Sequence, residues 1–97
     1  MTTVHSRLNA YRAECMTRRR FGLDPNKRPD QNALDCLTNP LYQLVGGGIV
    51  ISDEHWKCVE SGLSTALTGS GAYDVEMHFM ATRFALAAYI NSVAVRD

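Results

Sequence analysis

Ninety-seven residues, 45% of them hydrophobic and 21% charged, suffice for one domain with a modest core, and residues 1–97 are expected to form a single helical domain. Ten basic and ten acidic residues leave no net charge, unlike the strongly basic balance of most dedicated nucleic-acid binders. No apolar run approaches the roughly 18 residues of a membrane span, "MTTVHSRLNAYR" has no apolar secretory core, and Cys15, Cys36 and Cys58 form no C-x-x-C pair, so a cytoplasmic, non-membrane chain with reduced thiols is expected.

The zero charge hides an asymmetry. Residues 1–30 carry seven basic groups against three acids, and residues 31–97 carry three basic groups against seven acids. Such a chain can attract an anionic partner at its basic end, pair head to tail with a copy of itself, or fold the basic segment onto the acidic remainder.

In chain order, the first predicted helix runs from Thr3 to about Phe21. Val4, Leu8, Tyr11 and Cys15 fall at i, i+4, i+7 and i+11, one face of a helix, and Gly22 is a natural stop. "LDPNKRPDQN" reads as a loop by its turn chemistry. Asp30 can cap a short helix through "QNALDCL", which Asn39-Pro40 is expected to interrupt, with "PLYQLV" adding a turn.

Gly46, Gly47 and Gly48 invite comparison with a phosphate cradle. The Gly-Lys-Ser/Thr of a P-loop is missing, as is the spacing of a dinucleotide fingerprint. Ser52 is a good helix cap, but it is followed by Asp53 and Glu54, which would repel a phosphate from the helix end that should attract it. The glycines therefore read as a hinge or tight backbone crossing, leading into a short extended piece at Ile49–Ile51.

The next predicted helix spans Asp53 to about Thr68, with Trp56, Val59, Leu63, Ala66 and Leu67 on its apolar face. "TGSGAYD" is a turn. The last helix, Tyr73 to about Val95, carries two apolar stripes. Phe79, Leu86 and Val93, flanked by Tyr89 and Ile90, form one. Met77, Met80, Phe84 and Ala87 form the other. Between them lies a row of small residues, Ala81, Ala85, Ala88 and Ser92. Matching small residues Gly62, Ala66 and Gly69 on the preceding helix suggest close backbone approach in an antiparallel hairpin. The expected fold is thus all-α, a small bundle of three to four helices ending in that hairpin, with Trp56, Leu63, Phe79, Leu86 and Tyr89 largely buried.

Chemistry-bearing constellations are few. His55 and Cys58 at i and i+3 could supply two metal ligands, with His5, Cys15, Cys36 and His78 available for others, but no second close pair exists, so no metal and no cofactor are expected. There is no nucleophile elbow and no paired-carboxylate pattern, and the chain is not expected to be an enzyme.

The basic run "MTRRRFG" is the main candidate for a binding site. Arg18, Arg19 and Arg20 suit a helix C-terminus electrostatically. Together with Arg12, Lys27, Arg28 and Tyr11 they also resemble the arginine-aromatic surfaces that bind either proteins or nucleic acids. A second candidate surface is the stripe Met77, Met80 and Phe84, which the narrow, interrupted apolar faces of the neighbouring helices are not expected to cover and which is expected at a subunit interface, most simply in a homodimer.

In style the chain resembles the small accessory proteins of phages and other mobile elements, compact and free of catalytic motifs, which often block a host protein. The resemblance rests on no specific motif and transfers no residue. The functional expectation is a protein-interaction module that binds and inhibits a protein partner, and the alternative is a small nucleic-acid or nucleotide binder using the N-terminal arginines.

Overall fold

A computed structural model describes residues 2–17, 31–68 and 75–94. Among them are four helices: α1 (Val4–Met16), α2 (Gln31–Leu44), α3 (Asp53–Thr68) and α4 (Val75–Val93). The only β pairing among the described residues is an isolated antiparallel bridge between Thr3 and Val50. The all-α expectation is met.

Each helix starts or docks for a local reason. Thr3 caps α1, its hydroxyl accepting the Ser6 amide at 3.2 Å. The Val4 amide, which has no partner within its own helix, donates to the Ile49 carbonyl at 2.8 Å. Ser52 caps α3 as expected, its Oγ accepting the His55 amide at 3.3 Å. Asp53 and Glu54 occupy the first turn of α3, where carboxylates are favoured by the helix dipole.

The triple glycine makes a turn. The Ile49 amide donates to the Gly46 carbonyl at 3.2 Å, and the chain then passes the start of α1. A side chain at Gly47 would sit 3.8 Å from the His5 ring, whose Nε2–H donates to the Val45 carbonyl at 2.9 Å. The crossing is close but not clashing. Ile49 and Ile51, on either side of the bridge, are buried.

The apolar faces meet in one core. Val4, Leu8, Tyr11 and Cys15 come from α1; Leu34, Leu37 and Leu41 from α2; Trp56, Val59, Leu63 and Ala66 from α3; and Phe79, Ala87 and Ile90 from α4. Burying each Leu, Val, Ile or Phe contributes roughly 1.5–3 kcal/mol relative to exposure. Polar contacts fix the directions of the helices. Arg12 of α1 pairs with Asp35 of α2, while Asn9 and His5, earlier in α1, meet Tyr42, later in α2, so α1 and α2 run oppositely. Arg7 meets Asp53 and Tyr11 meets Ser64, so α1 and α3 run the same way. Gly62 touches Leu86, and His55, a turn or two earlier in α3, meets Tyr89, later in α4. That order is the one an antiparallel α3–α4 pair gives; the residues joining them, 69–74, lie outside the described residues.

Three expectations need correction. Helix α2 does not stop at Asn39-Pro40 but continues through it as one helix of 14 residues. Proline lacks the amide that would bond the carbonyl four residues back. Here that carbonyl belongs to Cys36, and the Arg83 guanidinium of α4 donates to it at 3.2 Å. A tertiary partner thus takes the place of the missing helical one. The small row of α4 is the second correction: Ala81, Ala85, Ala88 and Ser92 are exposed, and the side chain opposite Gly62 is Leu86. Third, Ala87 is buried rather than part of the outer stripe, while Leu86 and Tyr89 are only half-buried. Trp56, Leu63 and Phe79 are buried as expected.

Candidate functional site

The most conspicuous surface is the outer side of α4. Its buried residues, Phe79, Ala87 and Ile90, and the inward-turned Arg83 lie on one side of the helix. The opposite side carries Met77 at 68% exposure, Met80 at 42% and Phe84 at 55%. Ala81, Ala85 and Ala88 are exposed with them. At 100° per residue these six positions fall within a sector of about 140°. None bears a charge. Sequence reasoning found the two methionines and the phenylalanine but assigned the alanines to α3. Their angular positions on the helix, interleaved with Met77 and Phe84, were the available signal.

The basic candidates divide into two groups. Tyr11 is buried, its hydroxyl 3.0 Å from Ser64 Oγ. The Arg12 guanidinium pairs with Asp35 and donates to Asn39 Oδ1 at 3.1 Å. Both side chains thus join α1 to its neighbours. Arg18, Arg19, Arg20, Lys27 and Arg28 lie outside the described residues.

Arg7, one of the seven basic residues of the N-terminal segment, is a joint between α1 and the start of α3. It donates to Asp53 Oδ1 at 2.6 Å and to the Ile51 carbonyl at 3.3 Å, and its guanidinium lies 6.0 Å from the centre of the Trp56 ring. Its Nε is buried without a hydrogen-bond partner. Asp53 is mostly exposed, so the ion pair itself adds under about 1 kcal/mol, and the carbonyl and ring contacts carry more of the joint. Asp53 is thereby committed to closing the α1–α3 contact.

His55 and Cys58 sit beside Tyr89. Ser52 Oγ lies 3.1 Å from His55 Nδ1, and the His55 ring meets Tyr89 edge-on with centroids 6.0 Å apart. The Tyr89 hydroxyl titrates above its ordinary range, chiefly through a hydrogen bond with Cys58, then through desolvation and the nearby charges of Cys58 and Glu54. Cys58 is exposed. Among the described residues no three of His, Cys, Asp and Glu come together as a metal site. No described helix is long and apolar enough to cross a membrane.

No protein-family model, curated protein or solved structure matches this chain.

Proposed function

We propose that this chain is a small, non-enzymatic protein-interaction module whose contact surface is the outer side of α4, acting by occupying the surface of another polypeptide. The observation that carries the reading is the uncharged sector of Met77, Met80 and Phe84, with its three alanines, exposed on the side of α4 away from the core. Soluble chains seldom leave such contiguous apolar surface without a use. Methionine suits that use, because its flexible, polarisable side chain adapts to a partner's contours. Histidine chemistry gives a contrast: His5 is bonded to a backbone carbonyl and His55 to its own helix cap, both serving the fold.

The test is affinity capture with tagged chain from cells that also express an untagged copy, with and without nuclease, for the wild type and for Phe84→Asp. The expected result is a retained polypeptide, another protein or the untagged copy, that survives nuclease and is lost with Phe84→Asp. Capture that survives Phe84→Asp but disappears with nuclease would instead assign binding to nucleic acid and the arginines between residues 18 and 28.

A further inference from the structure

We draw no further inference here: the strongest candidate, the exposed apolar face of α4 formed by Met77, Met80 and Phe84, belongs to the contact surface already described, and nothing in the structure shows what covers it.

Discussion

At Gly62 a hydrogen in place of a methyl group sets how closely α3 and α4 approach. A Cβ built there would lie 2.9 Å from Leu86 Cδ2. That atom is the far end of a half-buried, flexible side chain, so alanine can be admitted by a small rotation. Alanine also recovers about 1 kcal/mol of helix propensity. Gly62→Ala should therefore change unfolding free energy in urea by less than about 1 kcal/mol. Gly62→Val, which adds branched bulk against Leu86, should lose about 1–3 kcal/mol. A loss from valine no greater than from alanine would show that Leu86 does not confine this site. The sequence was enough to expect a packing role for Gly62 but pointed to the wrong neighbour, because spacing shows that a small row exists and not which way the helix turns it. Arg7 was less legible still: its carboxylate partner is Asp53, and no local pattern relates positions 46 apart in the chain.

Among the elements, α2 departs furthest from local rules. An interior proline costs a helix about 3 kcal/mol, which is why Asn39-Pro40 reads as a boundary. The structure keeps the helix because both halves present leucines, Leu34, Leu37 and Leu41, to the common core, and because Arg83 meets the carbonyl that Pro40 cannot serve. Thr38, also buried, donates its hydroxyl to the Leu34 carbonyl at 2.8 Å and so brings no unpaired polar atom into that core. This arrangement couples two residues far apart in sequence. In Pro40→Ala the new amide can bond the Cys36 carbonyl, making Arg83 partly redundant. Arg83→Ala should therefore cost about 1 kcal/mol more in the wild type than in the Pro40→Ala background, read by a double-mutant cycle in urea. Additive losses would mean that the guanidinium does not replace the missing helical bond. Helices α1, α3 and α4 were legible from periodicity because their apolar positions recur at 3.6-residue spacing without interruption. The continuity of α2 was not, because what sustains it lies on α4.

For the whole molecule the decisive asymmetry is in α4, which packs one side against α2 and α3 and leaves the other bare. Two apolar stripes on one helix were visible in the sequence, together with the expectation that the neighbours would cover only one. The boundary between the stripes was not, since Ala87 is small enough to suit either side and its burial is decided by packing. Of the arginine-rich candidates only Arg12 and Tyr11 fall among the described residues, and both hold helices together. The central claim is that the outer side of α4 is a protein-contact surface. Affinity capture from cells that also express an untagged copy tests it most directly. The wild type should retain a polypeptide that survives nuclease, while Phe84→Asp, melting as cooperatively as the wild type, retains none. A wild type that retains no polypeptide, or whose capture is unchanged by Phe84→Asp, would contradict the claim.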